Sequence, residues 1–315
     1  MSQIECYEPE FVRQYLNNNS QTASKPLSLC WQHEVRLSLP LNDSERCRAL
    51  LASSSALELN VSMREASADF PALPDWAQSL NQASLDAVGL PGLTPEARLY
   101  ALGILLSYAA KLDKEEVTTP EVIATLPKKL EELVREGALQ CQFNELPSIP
   151  TLQRQLTGAL GTFSFDWSLL PESPRKQAVQ LQIGLFQMQD DNGLSRLHQQ
   201  MMDVWRERGV PRFADMPWVF INYLYYRLYH ETFPHHDTQP MPARYLTLVS
   251  DYFLLRSLLC LWMMDGDDLS DDVLVSLVAM FEAWRCGPLA DEEKEALLAP
   301  HRQDEILSAI SLLTN

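Results

Sequence analysis

From about Thr94 to the end of the chain, apolar side chains recur every three or four residues, the period of a helix with one buried face. Thr94-Pro95-Glu96 places a hydroxyl cap before a proline, and Leu99, Leu102, Leu105, Leu106, Ala109 and Leu112 follow on one face. A second helix opens at Pro127, carries Leu130, Leu133 and Val134, and stops at Gly137. Ser173-Pro174 repeats the cap-then-proline signal ahead of Val179, Ile183 and Phe186. Leu194, Leu197, Met201, Val204 and Trp205 form a further stripe that closes at Gly209. The densest apolar material comes next. Residues 218–233 interleave Tyr223, Tyr225, Tyr226 and Tyr229, and Pro234 ends the segment. Pro242 starts a long helix through Leu246, Val249, Phe253, Arg256, Leu259 and Met263. Ser270 caps another, with Leu274, Leu277, Val278, Phe281 and Trp284 as its stripe, and a short helix covers residues 304–313. Helices of this length are marginal alone in water, so the faces must pack on one another. The expectation is a mainly α, bundle-like domain over residues 66–315.

The first 65 residues are patterned differently. Asn17-Asn18-Asn19-Ser20 is turn-prone, and residues 35–39 and 57–61 alternate apolar with polar. They predict a short, less regular N-terminal segment with one or two strands, in competition with a helix over residues 44–56. Proline-punctuated connectors fall at residues 70–74 and 89–95.

Charge narrows the partners. The chain has 315 residues, 42 acidic against 25 basic, for a formal net charge of −17. Nucleic acid as a direct ligand is disfavoured, because phosphate binding needs Lys and Arg to displace counterions. An anionic membrane surface is repelled for the same reason, and the acidic surface suits a basic or lysine-presenting protein. The apolar residues 246–264 include Asp251 and Arg256, which reads as a buried helix rather than a membrane span. The N-terminus lacks a basic leader and acquires Glu5, Glu8 and Glu10 early, so a cytoplasmic protein is expected. Cys6, Cys30, Cys47, Cys141, Cys260 and Cys286 are scattered, without the short spacings of zinc or iron–sulfur motifs.

Few residues carry chemistry on their face. In His230-Glu231-Thr232-Phe233-Pro234-His235-His236-Asp237, the candidate metal ligands are His230, His235, His236 and Asp237. Pro234 breaks the helix between them, and a solvated helix end accounts for the same residues. Asp265-Gly266-Asp267-Asp268 invites a calcium reading, but Leu269 stands where an EF-hand needs its third ligand. An acidic helix N-terminus explains it instead. Cys30, beside Trp31, is a possible reactive thiol, with a buried structural cysteine as the alternative. GxSxG, P-loop, HExxH and GxGxxG motifs are absent. No residue is singled out as catalytic.

Several segments carry a resemblance. Tyr7-Glu8-Pro9-Glu10-Phe11-Val12 is similar to an EP-x-[FY]-V opening, and Leu27-Ser28-Leu29-Cys30 resembles an LSLxC segment. Glu96-Ala97-Arg98-Leu99-Tyr100, Asn222-Tyr223-Leu224, Phe233-Pro234 and Ala243-Arg244-Tyr245-Leu246 follow in the same order and spacing. Together they resemble the flagellin lysine-N-methylase family of bacteria. The resemblance implies a helical scaffold, a link to flagellin or motility, and S-adenosylmethionine as methyl donor. Family members also carry a CxxxCxxxCC-type block between the first two motifs, implied to hold an iron–sulfur cluster. Residues 16–26 contain no cysteine, so residues 1–65 read as an eroded segment and the cluster is not expected. Two functions follow: a protein-lysine methylase, or a non-catalytic adaptor, chaperone or regulator on the same scaffold.

Overall fold

Alternation in the N-terminal region produces strands, but four instead of one or two. The structure, a computed structural model, describes residues 3–19, 26–31, 34–65, 74–114, 119–236 and 238–314. β1 (Gln3–Pro9), β2 (Leu27–Cys30), β3 (Glu34–Ser38) and β4 (Leu59–Glu65) form one sheet in the order β2-β3-β1-β4. β1 and β3 are parallel, and the two outer pairs are antiparallel. β3 and β4 are the two runs anticipated from alternation. β1 escaped notice because Glu5 and Glu8 sit between its apolar positions, although Cys6 is fully buried. Neighbouring strands satisfy the acidic strand's backbone, which no local propensity reveals.

The chain divides into two compact units, each assembled from non-contiguous segments. The first comprises residues 1–40, 48–145 and 218–244. It contains the sheet, α1 (Glu10–Asn18), α3 (Asp75–Gly89), α4 (Pro95–Lys114), α5 (Pro120–Ile123), α6 (Leu126–Arg135), α7 (Ala138–Asn144) and α12 (Trp218–His230). The unit boundary falls inside α2 (Ser44–Leu51).

α12 is the core helix of this unit. It packs on α3, and Tyr223, Tyr226 and Tyr229 are buried. Each aromatic ring removes roughly 150–250 Å² from water, provided its polar end finds a partner. The N-terminal segment supplies those partners. Tyr226 donates its hydroxyl to the Leu39 carbonyl at 3.0 Å, and Tyr229 donates to the Tyr7 carbonyl at 3.3 Å. Trp218 Nε1 donates to the Leu51 carbonyl, and Asn222 donates to the carbonyls of Leu50 and Ser53. The sheet region is therefore hydrogen-bonded to the helical core. On the helical side, Thr94 caps α4 as anticipated, its hydroxyl accepting from Ala97 N at 3.2 Å.

The second unit comprises residues 41–47, 146–217 and 245–315. Its helices are α8 (Thr151–Ala159), α9 (Pro174–Gly184), α10 (Asp191–Val204), α11 (Val210–Ala214), most of α13 (Met241–Met263), α14 (Asp271–Arg285), α15 (Ala290–Leu298) and α16 (Glu305–Ser311). The span 241–266 is long and apolar enough to cross a membrane, yet 94% of its most apolar window is buried inside the protein. Asp251, fully buried on α13, is matched by Lys294 of α15 at 3.1 Å, as a buried carboxylate requires. Ser173 and Ser270 cap α9 and α14 as anticipated. The stripe expected to close at Gly209 instead passes through a π-helical turn, Trp205–Gly209, into α11. Glycine is required there, because a Cβ at 209 would approach Trp205 Cε3 to 2.3 Å.

Candidate functional site

In the first unit, β3 sets a cation into the protein. Arg36 points from the strand into a buried position, its guanidinium 4.3 Å from the Trp31 ring centroid and 5.2 Å from that of Tyr229. Nε donates to Glu34 Oε1 at 2.7 Å, and Nη1 donates to Asn81 Oδ1 at 2.6 Å. Asn81, fully buried on α3, donates its amide to the carbonyls of Leu228 at 2.8 Å and Phe233 at 2.7 Å. One side chain thus joins the strand, α3 and the end of α12. Trp31 Nε1, also buried, has no hydrogen-bond partner among the described residues.

Arg36 and Glu34 form one wall of a cavity of about 260 Å³, with Gln78, Gln82 and Asp86 of α3 opposite. Asp86 accepts from Gln82 at 2.9 Å. Burial, then the nearby Asp86 carboxylate, raises the Tyr225 hydroxyl pKa. Chemically, the cavity offers two carboxylates and a fixed guanidinium, a setting that can accept an ammonium group and orient it.

The sequence-predicted residues disperse around this network. Cys30 ends β2 and shares a row with Val35 and, one strand further, Cys6. Two strand spacings separate their Cα atoms by about 10 Å, beyond the ~4–7 Å Cα span of a disulfide. Burial, then Cys6, raises the Cys30 pKa, which works against thiolate reactivity. His230 shares a 2.8 Å hydrogen bond between Nδ1 and the Ser38 hydroxyl and stacks on Tyr226. His235 meets the edge of Trp76, and His236 Nδ1 accepts from the backbone of Thr238 and Gln239. Asp237 lies outside the described residues. The structure does not bring the three histidines to one point, and no group of three or more metal-ligating side chains occurs among the described residues.

Among the described residues no three cysteines are gathered, and Cys6 and Cys30 lie on either side of β3, so the cysteines as placed do not provide a four-thiolate set. The acidic run after α13 has a different explanation from helix-end charge alone. Arg175 pairs with Asp265 at 2.7 Å and Asp267 at 3.3 Å, Arg208 with Asp268 at 3.2 Å, and Arg212 with Asp271. Arg175 and Arg208 also bond the last carbonyls of α13, so three arginines pair with this loop and two of them cap the helix. Sequence reasoning missed Arg36 and Asn81. The usable signal was an asparagine inside the buried stripe Ala77, Leu80, Ala83 and Ser84, in a segment with no evident helix-start cap.

The sequence model described as the FliB lysine N-methylase C-terminal domain matches residues 81–286. The match begins at Asn81 and takes in Gln82 and Asp86 of the cavity and all of α12; Gln78 and the sheet, with Arg36 and Cys30, precede it. No curated protein and no solved structure matches the chain. Because the matched region spans well over half of the residues, the chain belongs to the FliB lysine N-methylase family.

Proposed function

We propose that this protein is a flagellin lysine-N-methylase-like protein of the cytoplasm that receives a flagellin lysine in the cavity between β3 and α3. Family membership is the observation that carries the reading. The cavity supports it: Glu34 and Asp86 offer carboxylates to an incoming ammonium, and the buried Arg36 holds Glu34 in place. The formal net charge of −17 favours a basic, lysine-presenting protein over nucleic acid or an anionic membrane. When bound, S-adenosylmethionine would supply the methyl group. At about 260 Å³ the cavity is smaller than the ~300–1,000 Å³ typical for ligands of the donor's size, so no step is assigned to it here. The acceptor amine must be neutral and shielded from water to react, and the cavity's partial enclosure serves the second requirement.

The spread of the cysteines favours a second reading, a non-catalytic acidic binding protein that kept the scaffold. Incubation with flagellin and labelled S-adenosylmethionine separates the two. New methyl-lysines, reduced by Asp86→Asn, support the methylase. A stable flagellin complex without methylation supports the binding protein, and the absence of both methylation and complex formation refutes both readings.

A further inference from the structure

β4 closes one side of the sheet and pairs, among the described residues, with β1 alone. It runs in unbroken antiparallel register, from Leu59 opposite Pro9 to Glu65 opposite Gln3. One step before that register, Glu10 N donates to the Glu58 carbonyl at 2.9 Å. Hydrogen-bonded positions alternate along an antiparallel pair, so Asn60, Ser62 and Arg64 are the residues that bond β1. Leu59, Val61 and Met63 therefore turn their backbone N–H and C=O groups to the outer edge. Their side chains share one face and are 45%, 58% and 56% exposed. Every residue from Val61 to Glu65 is exposed, so this edge is open to solvent. Sheets commonly blunt such an edge with a proline or a bulge, and β4 has neither. A straight, apolar, unpaired edge is a template for another strand.

The charges on the strand select the occupant. Where two copies of β4 meet antiparallel across a two-fold axis, outward-facing backbone groups must face one another, so Val61 and Met63 pair with odd-numbered residues. Centring the axis on Val61 sets Val61 opposite itself and Leu59 opposite Met63 on the apolar face. On the other face it sets Glu58 opposite Arg64, twice by symmetry. Moving the axis by one residue puts Ala56 or Asn60 opposite Arg64 and loses both ion pairs. Glu58 and Arg64 are both exposed, and opposite charges directly across a strand pair stabilise it, as apolar pairs do.

We propose that two copies of this chain associate through β4, joining their four-stranded sheets into one, with the two-fold axis at Val61. The inference stands apart from the methylase reading, since it uses the sheet edge alone. Two chains of net charge −17 repel one another. At about 0.15 M salt that repulsion is screened beyond ~8 Å, whereas paired strands lie only ~5 Å apart.

The test is sedimentation velocity of the full chain at about 0.15 M salt over ~1–300 µM, a range set by a contact smaller than the ~800 Å² per partner of a standard interface. Hydrogen exchange is followed at both ends of the range. A monomer–dimer equilibrium is expected, with the amides of Val61 and Met63 slowing as dimer forms, while those of Ser62 and Arg64 are already slow in the monomer. Val61→Lys sets two ammonium groups against each other at the axis and should weaken association at least about tenfold. Glu58→Arg or Arg64→Glu alone should weaken it, and the two together should restore it. Restoration excludes a folding defect and identifies the register. A chain that stays monomeric throughout, a dimer indifferent to Val61→Lys, or charge reversals that do not rescue one another overturn the proposal. So does protection of Val61 and Met63 that appears only when flagellin is added, which assigns the edge to a strand of that protein.

Discussion

Replacing Asn81 by alanine removes three hydrogen bonds from one buried point. Arg36 loses an acceptor at 2.6 Å while its guanidinium stays buried, a loss of about 1.5–3 kcal/mol for a bond to a charged group. The Phe233 carbonyl loses its 2.7 Å donor, which costs about 1–3 kcal/mol for an unsatisfied buried group. The Leu228 carbonyl still accepts from Phe233 N at 3.1 Å, so its share is small. The expected destabilisation is about 3–5 kcal/mol. In an Arg36→Met background the first contribution disappears, so the two substitutions should couple by about 1.5–3 kcal/mol. A chain of two units does not guarantee one unfolding transition, so urea denaturation should be joined to hydrogen exchange at the amides of Phe233 and His235. A loss below about 1 kcal/mol, unchanged exchange at that turn, or additive behaviour with Arg36→Met would refute the reasoning.

Three further outcomes are expected. Lys294→Met leaves the Asp251 carboxylate buried without the ammonium at 3.1 Å and should cost about 3–5 kcal/mol in denaturant titration; a change under about 1 kcal/mol contradicts it. His198 is pulled down from 6.5 to about 4 by burial and by Arg256 and Arg154, so the unfolded chain takes up its proton first as pH falls. That contribution is complete above pH 6.5 and lost as pH drops toward 4, about 3 kcal/mol in all; His198→Gln should flatten the stability profile across that window, and parallel profiles would count against it. In a thiol titration of the native protein, the exposed Cys141 and Cys286 should react first and the half-buried Cys30 more slowly, with all six reacting after unfolding; a fast Cys30 would contradict its burial.

Much of the helical architecture was legible one element at a time. Cap-then-proline signals located α4 and α9, Ser270 located α14, and apolar spacing identified α10, α12 and α13, because these features depend on neighbours within one or two turns. The sequence by itself also determined the acidic balance, the lack of short-spaced cysteines and, through shared motifs, the family. Tertiary structure alone decided the rest. β1 is a strand because β3 and β4 flank it, and Glu5 and Glu8 conceal it from any local reading. Arg36 and Asn81 are 45 positions apart, and Asn81 lies 152 from its partner Phe233, so no spacing rule connects them. The histidine string that looked like a metal site is divided among Ser38, Trp76 and a local turn, while the acidic loop belongs to three distant arginines. The physical reason is common to all of these. Periodicity records which side of an element is buried, whereas a site depends on which distant polar groups must satisfy one another once water is excluded.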